Sequence, residues 1–277
     1  MQEPVAHRAT GHHLDGQERG STRSLGLRWI WLLPYALVLG GCGMWPVRQD
    51  RLVSMTFAPE APDPYVAEDS AAVYRQPGLA IKVHYLSTQA LNAEYPEQSA
   101  GRFDLNPFTY GTRIDNNLGY VPDRFTVFQV EVDNLGLPRV EFDPRHARLI
   151  TDRGDQLEPW GIHKGDATQT FEIYYRSRRG AGGNEEEWYR QRMAIVERAV
   201  STRNPLFKGQ NQRGKVVFDP LAPEVRQVRL QLREFVTAFD AHDTPVKTID
   251  LEFPFTVDVS IQPASTKVPA TPAKGGS

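Results

Sequence analysis

"IDLEFPFTVDV", residues 249–259, decides the fold class. Ile249, Leu251, Phe253, Phe255, Val257 and Val259 fall on one face of an extended chain, and Asp250, Glu252, Thr256 and Asp258 fall on the other. Successive side chains of a strand point to opposite faces, so this period of two is what a half-buried strand requires. Pro254 has no N–H to offer a neighbour, which predicts an edge strand or a bulge at that point.

The same period recurs upstream. Leu79, Ile81, Val83 and Tyr85 alternate with polar or small residues in "LAIKVHY", Phe128, Val130 and Val132 in "FQVEVD", and Val228, Leu230 and Leu232 in "VRLQLR". "RVEFDP", "ARLITDRGDQLEP" and "KVVFDP" supply shorter candidates around polar turns. About seven strands without regularly interleaved helices argue against a parallel sheet. They predict a mainly β domain over residues 78–260, an antiparallel immunoglobulin-like β-sandwich in the broad sense.

One segment breaks the pattern. Asn184 followed by Glu185, Glu186 and Glu187 reads as a helix start, with Asn184 as cap and Glu187 closing a reciprocal bond. Tyr189, Met193, Val196 and Val200 then recur at helical spacing, and a second helix is expected in "TQTFEIYYRSRR", with "GAGG" as the hinge. The helical insertion covers about 167–203. Its Phe171, Tyr174, Tyr175, Arg176, Arg178 and Arg179 are the candidate interface, because Tyr and Arg are enriched at protein contacts. The competing reading has the aromatics closing the open end of the sandwich and the arginines pairing with Glu185–Glu187, or meeting anionic lipid headgroups.

"FTVFQVEVDNLGLPRVEFDP" with "LITDRGDQLEP", and later "GKVVFDPLAPEVRQVRLQL", resemble the immunoglobulin-like (telokin-like) domains of exported bacterial lipoproteins of unassigned function. The resemblance spans roughly residues 78–258 and is thinnest over the insertion. It implies the fold and carries no catalytic residues.

The chain's single cysteine, Cys42, stands behind a 13-residue apolar run, Trp29–Gly41, which Arg23 and Arg28 precede. That is the layout of a secretory signal peptide. A helix over the run would be roughly 20 Å long, short of a ~30 Å hydrocarbon core, and Pro34 weakens it. Leu39-Gly40-Gly41-Cys42 resembles the lipobox of bacterial lipoproteins. The resemblance implies cleavage before Cys42, a diacylglyceryl group on its sulfur and a further acyl chain, such as palmitate, on the new amino terminus. The 22-residue lead-in is unusually long and partly acidic for such a signal, and a misplaced start codon would explain it. Gly43, where an aspartate would hold an enteric lipoprotein in the inner membrane, favours the outer membrane. The expected organisation is a signal peptide at 1–41, a lipidated cysteine and Pro-rich flexible tether at 42–77, the sandwich at 78–260 and a disordered tail at 261–277.

Net charge is −2 over 277 residues, and residues 1–41 carry four arginines and three acids, so the remainder stands at −3. No basic stripe reads as a nucleic-acid footprint. "GQNQRGKV", 209–216, has the spacing of a phosphate loop but puts Val216 where a magnesium-binding hydroxyl belongs, ahead of a strand. Arg153-Gly154-Asp155 reads as a turn. His84, His146, His163 and His242 are isolated in sequence and make no metal motif, and Asp240 and Asp243 read as turn residues. The expectation is a lipid-anchored envelope protein facing the periplasm, with no catalytic residues, no cofactor and no metal. It binds the membrane through its lipid and an envelope protein through its sandwich; a periplasmic ligand or metal carrier is the alternative.

Overall fold

The computed structural model describes residues 51–263, apart from 61, 101, 102, 104, 181 and 182. The expected signal peptide, the lipobox with Cys42 and tail residues 264–277 lie outside the described residues. Twelve strands and four helices follow in order: β1 (Arg51–Pro59), β2 (Tyr65–Glu68), β3 (Ala71–Gln76), β4 (Leu79–Leu86), α1 (Thr88–Glu94), α2 (Pro96–Ser99), β5 (Thr126–Asn134) and β6 (Arg139–Phe142). After a 3₁₀ turn at Pro144–His146 come β7 (Ala147–Thr151), β8 (Gln156–Leu157), α3 (Phe171–Ser177), α4 (Glu185–Ala199), β9 (Asn204–Phe207), β10 (Asn211–Phe218), β11 (Gln227–Phe239) and β12 (Pro245–Pro263).

The strands form an antiparallel two-sheet sandwich. One sheet runs β1-β12-β11-β6-β9, with β7 also paired to β11 and β8 to β7; the other runs β10-β5-β4-β3-β2. The alternating residues read from sequence fill the space between them: Leu79, Ile81, Val83, Phe128, Val130, Val132, Val228, Leu230, Leu232, Leu251, Phe253, Phe255 and Val257 are buried in one cluster. Phe57 locks the layers together, stacked on Tyr85 at 3.7 Å and edge-on to Phe128 at 5.6 Å.

Three findings correct the sequence reading. First, β12 is not an edge strand; it is hydrogen-bonded between β1 and β11. Val257 N–H donates toward β11, to Arg226 O, whereas the Pro254 carbonyl faces the other way and accepts from Glu60 N–H at 2.9 Å, just past the last β1 pair, Pro59–Phe255. The proline's missing N–H therefore points to where the β1 ladder has ended. Second, β1, β2 and β3 lie inside the segment expected as a tether. Its prolines sit at the strand ends and in turns: Pro59 closes β1, Pro62 and Pro64 turn into β2, and Pro77 stands between β3 and β4. Third, the bulge falls in β11, where the register shifts between Leu232 and Phe235 and Glu234 adopts φ 55°. The shift returns Phe235 to the core.

Candidate functional site

The helical insertion meets a second buried layer, on the outer face of the β10-β5-β4 sheet. Val127 and Val217 point outward from β5 and β10, opposite Phe128 and Phe218, which point into the sandwich. α1 contributes Leu91, α3 contributes Phe171 and Tyr175, and α4 contributes Met193, Ile195 and Val196; Phe108 and Phe125 come from the loop between α2 and β5. This explains why β5 is buried on both faces, a pattern that a sandwich alone would not give.

The candidate interface divides accordingly. Phe171 and Tyr175 are buried, and Tyr174 packs against the same cluster, so the aromatics do not form a free surface. Phe171 meets Phe108 and Phe125 edge-on, and Tyr175 hydroxyl donates to Pro107 O at 2.5 Å. Burial pushes the Tyr174 hydroxyl above its ordinary range, with Arg124 partly opposing it. The arginines are exposed and serve different partners. Arg176 pairs with Glu172 at 2.9 Å and Arg179 with Glu186 at 2.7 Å, while Arg178 lies over the Tyr174 ring at 4.1 Å. The helix start also differs from its sequence reading. Asn184 makes no side-chain cap, its carbonyl receives Trp188 N–H at 3.0 Å, and Glu187 instead pairs with Arg190 at 2.6 Å.

Both ends of the insertion are fastened to the sandwich. At the entry, Trp160 indole N–H and Gln169 amide both donate to Asp219, the Asp-Pro corner after β10, at 3.0 and 3.1 Å. At the exit, Ser201 N–H donates to Lys215 O at 2.8 Å, a contact that needs Gly214, since a β-carbon there would stand 2.8 Å from Ser201 Cα. Two residues on, Arg203 bonds to Glu141 of β6, and Arg139 holds the same carboxylate at 2.7 Å. Burial pushes Glu141 up, but the two guanidinium groups outweigh it and leave the carboxyl below its ordinary value.

The remaining sequence signals resolve into structure. Lys215, the lysine of the phosphate-loop spacing, is buried and bonds Glu94 Oε1 at 2.7 Å. Gly154 is the turn between β7 and β8, at φ 89°. Asp240 caps its turn by accepting His242 and Thr244 N–H at 2.8 Å each. His84 lies on the outer sheet face, and burial pulls it below its ordinary range. His146 neighbours Glu234, and His163 lies 3.6 and 3.7 Å from Glu172 and Glu197. Among the described residues no group of three or more His, Cys, Asp or Glu is placed to hold a metal, and no helix is long and apolar enough to cross a membrane. A cleft of about 190 Å³ opens between Trp160 and the insertion's exit, lined by Asp143, Arg145 and Arg203. Arg145 is already committed there, in a bidentate pair with Asp143.

No protein-family model and no curated protein matches the chain. Among solved structures, the yjhA protein from Bacillus subtilis aligns over 70% of this chain and 96% of its own, at 10% identity and a TM-score of 0.30. That similarity carries no argument about fold or function.

Proposed function

We propose that the protein is a lipid-anchored component of a bacterial cell envelope whose β-sandwich serves as a non-catalytic binding or assembly module. The observation that carries this reading is the sequence Leu39-Gly40-Gly41-Cys42 behind a short apolar run, with no second cysteine anywhere in the chain. A single acyl chain binds a membrane marginally, whereas diacylglyceryl plus an amide-linked chain anchors stably at ~0.8 kcal/mol per buried CH₂. On this reading the sandwich is carried on the lipid and faces the periplasm, at the outer membrane. Of the candidate interface, Arg176, Arg178 and Arg179 are exposed, and Ile173 on the same segment, 48% exposed, adds an apolar side chain that a partner could touch.

Metabolic labelling with an alkyne palmitate analogue, followed by membrane fractionation, tests the anchor. Wild type should carry the label and sediment with the outer membrane, and Cys42→Ala should carry none. A photo-crosslinking residue at position 173 tests the module: a discrete adduct in intact cells is expected, and its absence at this and neighbouring exposed positions would remove the assembly role.

A further inference from the structure

An open groove of about 510 Å³ lies between the β10–β5 strands and the last turns of α4, and its floor holds hydrogen-bond donors that the fold does not use. Gln129 of β5 and Lys215 of β10 are directly opposite in the sheet register, so their side chains stand together on the face that carries the helices. Both are buried. Lys215 spends one of its three N–H bonds, on Glu94 Oε1 at 2.7 Å, and its ammonium otherwise lies over the Tyr95 and Phe108 rings at 5.7 and 5.8 Å. Gln129 accepts from Arg213 Nη2 at 3.2 Å through Oε1, which leaves its amide N–H groups without a partner among the described residues. Buried donors left unsatisfied are costly, and two side by side in the wall of one groove point to a ligand that completes them.

The charges around these donors identify the ligand's chemistry. Arg198 is exposed at the rim, gives Nε to Ala194 O at 2.9 Å and has no carboxylate partner among the described residues, while Arg213 reaches Glu131 at 3.2 Å. Lys215, Arg198 and Arg213 therefore line the groove against a single carboxylate, Glu94. On the adjoining sheet face Lys82 and Glu131 stand opposite each other and cancel. This local positive excess stands in a chain whose net charge is −2. A phosphate monoester brings about −1.5 to −2 charge near neutral pH and three strong acceptor oxygens, which match that excess and the number of donors better than one carboxylate would. Tyr95, Ile195 and Ala199 offer an apolar wall to the organic part. The 211–216 backbone belongs to the β10–β5 ladder, so the groove works through side chains and the phosphate-loop spacing of this stretch is incidental. We propose that the groove binds the phosphate group of a small phosphate ester through Lys215, Gln129 and Arg198. The site is independent of the lipid anchor.

Calorimetric titration of the full chain, held in detergent, with glycerol 3-phosphate provides the test. Wild type should bind saturably and glycerol alone should not. Arg198→Ala, an exposed substitution whose fold is checked by its thermal midpoint, should weaken binding by about fivefold or more. Glu94→Gln takes away the one carboxylate that competes for Lys215, and should tighten binding by about threefold or more at low salt. A pair that serves only the fold would leave affinity untouched in both variants. No binding to folded wild type, or an affinity unchanged by Arg198→Ala and by Glu94→Gln, would overturn the proposal. Equal affinity for succinate would overturn the assignment to phosphate.

Discussion

Asn134 holds more of the fold than any apolar residue of its size could. Its Oδ1 accepts Leu137 N–H at 2.9 Å, and its amide donates to the carbonyls of Leu137 and Leu206 at 2.9 and 3.0 Å, joining the β5–β6 turn to β9 with the side chain fully buried. Asn134→Ala would leave those groups without partners at a cost of about 2–4 kcal/mol, read as a shift in denaturant midpoint at unchanged slope. Lys215 poses a different problem, a buried ammonium 5% exposed whose counter-ion Glu94 is 42% exposed. Glu94→Ala should destabilise by about 1–3 kcal/mol, and adding Lys215→Met should recover most of it, since an uncharged side chain of similar length at 215 avoids the desolvation penalty of an unpaired buried ammonium. If the double variant is as unstable as the single, the pair contributes more than it costs.

At the scale of elements, the insertion is a second core rather than a loop. Phe171→Ala should therefore cost about 3–5 kcal/mol, while Arg179→Ala on the same segment should stay within about 0.5 kcal/mol in thermal unfolding. The helices themselves were legible, because Met193, Val196 and Val200 recur at helical spacing and all three are buried. What they pack against was not legible. Aromatic residues next to arginines look the same in sequence whether the rings face a partner or a sheet, and Val127 and Val217, which receive them, are indistinguishable from ordinary strand residues. The alternation identifies the buried face of β12 but not its place in the sheet, since whether the Pro254 nitrogen, on the side away from β11, meets a partner strand depends on where β1 stops. β1 to β3 were hidden for a similar reason: prolines that punctuate short strands have the composition of a linker.

For the whole molecule, acid stability follows from the carboxylates that fasten its parts. Burial raises both Glu141 and Asp143, but arginine partners outweigh it and hold both below their ordinary values of 4.5 and 3.8. A depressed carboxyl contributes stability that is complete above its unfolded value and is lost as pH falls through its folded one. From neutrality to about pH 5 only His84, held below its ordinary value by burial, should lower the thermal midpoint, and modestly; the main fall should come below about pH 4, and Glu141→Gln should lower the plateau and shrink that fall. A main fall that begins near pH 6 would point to His84 rather than to these carboxylates.

The central claim is that this domain is carried on a lipid at Cys42, and intact mass of the protein purified from membranes tests it most directly. The account predicts a chain beginning at residue 42 with added mass equal to a diacylglyceryl group and one acyl chain, and no such species from Cys42→Ala. A full-length or conventionally cleaved chain with an unmodified thiol would contradict it.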